Sequence, residues 1–333
     1  MNQLLYRLGT GHIISASLHV VLQLEIADRL LAGPARVDDL AAATGVNADA
    51  LYRVMRMLAA EGIFDEQETR VFALTADGRE FAKGSGTYRD MGLWITNPLL
   101  FRAYAEMMHA VRTGDPAIKK VTGKTVFENV AADPALAAIF NNAMSSFSAS
   151  VAPAAMKVYD FSGVRTLVDV GGGHGQVLTT ILGAHPHIRG ILFELPHVIA
   201  SAEPVVAASG VADRCRLEAG DFFKAVPAGG DAYLLKHVIH NWHDEDATIL
   251  LKNIRTAIGD TPGGRLILLD SVLRPGNEPD YGKLMDVQML VMPGGRERTE
   301  AEFAELLSRS GFALTRIVPT ASALSVIEAR ASR

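Results

Sequence analysis

The run Thr166-Leu167-Val168-Asp169-Val170-Gly171-Gly172-Gly173-His174-Gly175 constrains the fold more than any other stretch of the chain. An apolar, β-branched segment leads directly into four glycines in five positions. Glycines between a strand and a helix let the backbone approach a ligand closely. Strand-like runs recur at Gly190–Phe193, Cys215–Glu218, Ala232–Leu235, Arg265–Leu269, Ala313–Val318 and Ser322–Glu328. Helical stretches and loops separate the first five. Such alternation predicts an α/β, doubly wound, mostly parallel sheet. Ligands of such sheets bind at the carboxyl ends of the strands, near the switch point of strand order.

The residues that follow the strands fit that expectation. A dinucleotide loop of the form G-x-G-x-x-G, begun at Gly171 and Gly173, needs its third glycine where Gln176 stands. Here the glycine falls at Gly175, giving Asp-x-Gly-x-Gly-x-Gly from Asp169, a spacing that resembles the S-adenosylmethionine loop of class I methyltransferases. The second strand ends in Phe193-Glu194-Leu195-Pro196, and a carboxylate there can accept hydrogen bonds from both ribose hydroxyls. Gly220-Asp221-Phe222-Phe223 follows the third strand: an acid suited to an exocyclic amine, and a ring suited to a base.

The fourth strand runs into Leu235-Lys236-His237-Val238-Ile239-His240-Asn241-Trp242-His243-Asp244-Glu245-Asp246. His237 and His240, three apart, could share a helical face. No H-E-x-x-H pattern occurs and no further ligand is evident along the chain, so no metal is expected. His243 is expected exposed, before a helix Asp244–Ile258.

The first half reads helical. Ile14, Leu18, Val21, Leu22, Ile26 and Leu30 recur at helical spacing within Ile13–Leu31, before Gly33-Pro34. A short helix from Val37 to Gly45, a third opening at Asn47, and a hairpin of Ile63-Phe64 with Val71–Leu74 make a winged-helix pattern. DNA binding is not expected of it. The third helix offers Arg53 and Arg56 but also Asp49 and Glu61, amid mostly apolar neighbours, and the chain carries 32 basic against 37 acidic residues. Residues 88–160 continue helical, through Phe101–Val111 and Ala135–Met156, and are rich in Met and aromatics. Met144, Phe147, Met285 and Met289 are candidates to line a pocket for a flat apolar ligand, core packing being the other reading. The one cysteine, Cys215, fits a reducing compartment, and the first ten residues show no export signal. A cytoplasmic protein without membrane partners is expected.

Asp169–Gly175, Glu194–Ile199, Gly220–Phe223, Leu235–Asp246 and Pro293-Gly294-Gly295-Arg296-Glu297-Arg298-Thr299, in this order, closely resemble the S-adenosylmethionine-dependent O-methyltransferases of the caffeic acid type and their bacterial small-molecule relatives. The resemblance covers essentially the whole chain. It implies a Rossmann-like class I methyltransferase domain, residues 99–333, behind a mainly helical, winged-helix-like dimerisation domain, residues 1–98. Within the former, 99–160 would line the pocket and 161–333 form the α/β core. It implies a homodimer, S-adenosylmethionine as cofactor, and a small aromatic hydroxyl compound as acceptor. His240 matches the general base; Asp270 and Glu297 match the acids that flank it. Gly171, Glu194, Asp221, Phe222 and Lys236 match cofactor contacts, joined by Asp169, Gly173 and Leu195 of the same motifs, and Trp242 would pack near the adenine.

Departures from the plant pattern are Asn241 for Asp after the histidine, Asp270 for Glu, and a Gln288–Pro293 loop one residue shorter, with Met292 near the position of a missing Asn. Substrate preference therefore does not carry over from the plant enzymes. If Asp270 falls short of His240, Glu297 alone orients it. Two alternatives stand beside this reading: the same fold and cofactor used for hydroxylation or decarboxylation, and a winged-helix regulator sensing a small ligand.

Overall fold

Seven strands form the sheet that the alternation predicts, in a computed structural model that describes residues 2–84 and 88–332. They are β1 (Thr166–Val170), β2 (Arg189–Glu194), β3 (Cys215–Ala219), β4 (Ala232–Lys236), β5 (Arg265–Asp270), β6 (Phe312–Pro319) and β7 (Ser325–Ala331). Their order across the sheet is β6-β7-β5-β4-β1-β2-β3. β3, β2, β1, β4 and β5 are mutually parallel; β7 runs antiparallel to β5, and β6 antiparallel to β7. Strand order reverses between β1 and β4, so the switch point lies where the glycine loop and the histidine segment begin. β1, β2, β4 and β5 are largely apolar and buried, as parallel strands covered on both faces must be. Val168, Tyr233, Leu235, Leu266, Leu268 and Ile327 belong to one buried cluster with Leu250, Leu251 and Ile254 of the helix Asp244–Ile258.

The winged-helix pattern is also present. Helices Val37–Thr44 and Ala48–Ala60 precede an antiparallel pair, Phe64–Glu68 with Val71–Leu74, to which Ala35–Arg36 adds a third strand. Gly45 ends the first of these helices in a left-handed conformation (φ 70°), and the Asn47 side chain accepts from the Ala50 amide at 2.9 Å. On helix Ala48–Ala60, Leu51, Met55 and Leu58 are buried, while Arg53 and Arg56 are exposed.

Several boundaries differ from expectation. The first helix starts ten residues early, at Gln3, because Asn2 caps the Leu4 and Leu5 amides. It breaks at Glu25, whose φ of 53° ends the α-helical run before Ile26–Arg29. Phe101–Val111 is two helices, Pro98–Ala105 and Met107–Thr113. The chain packs as two compact units: the stretch up to Phe101 with Asp133–Phe147, and Arg102–Ala132 with Ser148 onward. The segment 99–160, expected to travel with the α/β half, thus divides between them along the helix Pro134–Met156. Among the described residues, no helix is long and apolar enough to cross a membrane.

Candidate active site

The carboxyl ends of β1, β2 and β3 are tied together by backbone bonds. The Gly171 amide donates to the Phe193 carbonyl and the Gly220 amide to the Glu194 carbonyl, both at 2.9 Å. Gly171, Gly173 and Gly175 all have positive φ (71°, 59° and 77°). A Cβ at Gly171 would also press on Val238. Glycine is therefore required here both for backbone conformation and for close approach. The Glu194 carboxylate accepts from the Gly173 amide at 3.2 Å and the Leu195 amide at 2.7 Å, which aims it over the glycine loop. Burial raises its pKa and these two bonds oppose the rise. Leu195 leaves its side chain 42% exposed beside it. Asp221 accepts from the Phe223 amide at 3.0 Å. Phe222 and Phe223 meet the Trp242 ring edge-on, at 6.2 and 4.7 Å, and Phe127 stacks on that ring at 6.2 Å. The structure thus gathers Gly171, Gly173, Glu194, Leu195, Asp221, Phe222 and Trp242 on the edge that the sequence indicates. Glycine backbone, ribose-type acceptor, acid and aromatic face fit an adenosyl group.

Asp169 ends almost fully buried beneath this loop, and burial pushes its carboxyl up to about 7, with Lys236 pulling down and Glu194 pushing further up. An unfolded aspartate titrates near pH ~4. Between about pH 4 and 7 the folded chain therefore holds a proton that the unfolded chain has lost. Stability of the ligand-free protein is expected to fall as pH rises through that window. Asp169→Asn should flatten the slope in urea unfolding at graded pH; an unchanged slope would assign it to other groups. Lys236, at the end of β4, is pushed down to about 8 by desolvation, against the attraction of Asp169 and Asp270.

Beyond β4 the chain turns through His237, a non-glycine residue with φ 55°, into the 3₁₀ turn Ile239–Asn241. His240 is buried there, and its Nδ1 lies 2.7 Å from Oε1 of the equally buried Glu297. Glu297 arrives by a different route. Arg298–Thr299 pairs in parallel with Val272–Leu273, just past β5, and the Glu297 amide donates to Asp286 Oδ1 at 2.9 Å. The Arg296 amide donates to the His240 carbonyl, also at 2.9 Å, so the two segments lie backbone against backbone. Asp270, ending β5, is fully buried and close to this pair, yet neither of its oxygens accepts a hydrogen bond. Among the described residues, Glu297 alone holds the His240 ring by a hydrogen bond. The shorter aspartate sits one methylene back, as the departure from the plant pattern foreshadows. Burial pushes Asp270 up to about 7, against the pull of His240.

Residues outside the sequence reading complete the site. The guanidinium of Arg298, 1% exposed, donates to Asp244 Oδ1 at 2.7 and 3.1 Å, to the carbonyls of Ile239 and Arg296 at 3.3 Å, and to that of Trp242 at 3.0 Å. One buried cation thereby clamps both segments that carry the histidine and the glutamate. Arg298 stands inside a quoted motif, but its partner Asp244 is 54 positions away, a pairing that no local pattern reveals. Met285 and Met289 lie on the helix Tyr281–Val291, Met289 buried, and that helix also carries Asp286. Met144 and Phe147 belong to the other compact unit. His243 is exposed at the N-cap of Asp244–Ile258, as expected.

Comparison with known proteins agrees with this geometry. A family model described as an O-methyltransferase domain matches residues 104–313, and one described as an O-methyltransferase dimerisation domain matches residues 6–84. The chain is 39% identical to the phenazine O-methyltransferase PhzM of Lysobacter antibioticus, across 99% of this chain and 96% of that protein. It is similar to the solved mitomycin 7-O-methyltransferase MmcR, with 34% identity, a TM-score of 0.92, and 99% and 97% of the two chains covered. It also resembles the O-methyltransferase NcsB1 of neocarzinostatin biosynthesis, solved with S-adenosylmethionine and 2-hydroxy-5-methyl naphthoic acid: 30% identity, TM-score 0.80, 95% of each chain covered. Strand order, glycine loop and whole-length similarity converge, and the chain belongs to the S-adenosylmethionine-dependent O-methyltransferases that carry an N-terminal dimerisation domain.

Proposed function

We propose that this enzyme methylates a phenolic hydroxyl of a small aromatic natural product, with His240 as the general base. The observation that carries the reading is the buried 2.7 Å contact between His240 Nδ1 and Glu297. A carboxylate only accepts, so Nδ1 holds the hydrogen and Nε2 keeps its lone pair for the acceptor's proton. A phenol with a pKa of about 10 is a weak nucleophile near neutrality until that proton leaves. S-adenosylmethionine supplies a methyl group already activated by a sulfonium charge. The chain's own work is to bind, align and deprotonate. Gly171, Gly173, Glu194, Leu195, Asp221, Phe222 and Trp242 would hold the cofactor, with Asp169 and Lys236 beneath. Glu297 orients His240 and steadies its cationic form, and Arg298 fixes both backbones. Met285 and Met289, on the helix that also carries Asp286, are assigned to the acceptor pocket. The base–carboxylate pair favours methyl transfer over hydroxylation or decarboxylation, which need no such base. Aromatic acceptors of the similar proteins support the substrate class.

The dimerisation domain supports a homodimer. A cytoplasmic setting completes the reading: Cys215 is a buried free thiol, pushed up to about 11 by burial. The test is a mass-spectrometric screen of phenolic acceptors with S-adenosylmethionine, run on protein whose two-chain state is checked by sedimentation. Products heavier by one methylene are expected. Products that gain oxygen or lose carbon dioxide, with no methylated phenol, would overturn the reading.

A further inference from the structure

His237 and His240 lack a third metal donor along the chain, and the fold supplies one. Asp270 closes β5, the neighbour of β4, and one nitrogen of each histidine and one Asp270 oxygen all lie within 4.8 Å of one another. The two imidazoles stack, with centroids 4.3 Å apart and planes 23° apart. His237 reaches this position through a left-handed backbone, a conformation that costs energy in a non-glycine residue. It is pinned there by its amide on the Leu269 carbonyl at 3.1 Å and by Asn241 Nδ2 on its own carbonyl at 2.9 Å. Asp270 is 0% exposed, and neither oxygen has a hydrogen-bond partner. A buried carboxylate without donors is expensive, and a cation is what such a group accepts. Glu297 on Nδ1 of His240 is the carboxylate that metal-binding histidines usually carry on their second nitrogen, where it fixes the tautomer and raises basicity.

We propose that His237, His240 and Asp270 form an inhibitory site for a divalent zinc-class cation, which takes the Nε2 of His240 that the acceptor needs. This rests on the reading of His240 as general base. Two imidazoles and one carboxylate, with a fourth position for water, are a zinc donor set, whereas magnesium and calcium prefer oxygen alone. Bonds of about 2.0–2.2 Å require the three donors to draw together and the two rings to leave their stacked arrangement on binding. Lys236 and Arg298 also act on Asp270, and their charges weaken its pull on a cation. Reversible occupancy, rather than a resident metal, follows.

The test uses the full chain after treatment with a chelator. Calorimetry with Zn²⁺ should show one saturable site per chain, and Co²⁺ in its place should give the visible absorption of a low-coordinate complex. Zn²⁺ should raise the apparent KM for the acceptor and leave S-adenosylmethionine binding in place. His237→Asn keeps a residue that tolerates the left-handed backbone. It should weaken Zn²⁺ binding at least ~10-fold and remove the inhibition relative to its own metal-free rate. No Zn²⁺ binding by the unaltered chain, or equal binding by His237→Asn, overturns the proposal. The calorimetric and spectral signals do not depend on turnover. A failed metal site and a failed base assignment, the latter visible in His240→Ala kinetics, are therefore separable.

Discussion

His240→Ala should lower the rate of methyl transfer at least ~100-fold while leaving affinity for S-adenosylmethionine nearly unchanged. The asymmetry follows from position. His240 lies in the turn after β4, whereas the residues assigned to the cofactor lie mainly on the loops after β1, β2 and β3, which bond to one another through Gly171, Gly173 and Gly220. The methyl donor carries its own activation, so the protein's contribution divides between alignment and proton removal. General-base catalysis is worth about 10²–10⁴-fold, and alignment survives the substitution. Loss of the imidazole also leaves Glu297 buried without its partner, so a lower unfolding midpoint should accompany the lost rate. Cofactor titration by calorimetry separates the two effects. Near-normal turnover in a well-folded variant would remove His240 as the base.

The parts of this site legible in sequence are those set by short-range rules. A glycine run after an apolar segment marks β1 and its ligand loop, because only that context requires so many residues without a Cβ. His240 stands out because a histidine after a strand end is where an open α/β sheet places its chemistry. What local pattern could not supply is which distant segments meet. Glu297 rather than Asp270 bonds His240 because Arg298–Thr299 pairs with Val272–Leu273 and carries Glu297 forward. The length of the aspartate side chain hinted at this outcome; the pairing decides it. Asp286, which receives the Glu297 amide, lies on the helix Tyr281–Val291, 11 positions before its partner in sequence. The early start of the first helix escapes local pattern for another reason: Gly9, Thr10 and Gly11, poor helix formers, interrupt the pattern between Leu8 and Ile13, and the Asn2 cap lies beyond that interruption.

Gly295→Ala should cost at least ~100-fold in turnover, although Gly295 carries no catalytic group. A Cβ there would strike the His240 carbonyl oxygen, the Asn241 carbonyl carbon and the Trp242 amide nitrogen. All three are backbone atoms, so no side chain can rotate to make room. The segment bearing Glu297 must instead back away from the turn bearing His240. The bond from the Arg296 amide to the His240 carbonyl, 2.9 Å, is the first to open, and the 2.7 Å contact between His240 and Glu297 follows. A misplacement of about 1 Å in reacting groups is enough for a loss of that size. Backbone neighbours yield less readily than side chains, so a thermal melt of the variant accompanies the kinetics and sets apart lost fold from lost geometry. The glycine loop after β1 is untouched, and cofactor affinity should stay within a few-fold. The measurement is kcat beside the calorimetric Kd for S-adenosylmethionine. A folded Gly295→Ala enzyme with ordinary kcat would show that the close approach of these two backbones does not set the geometry of the base.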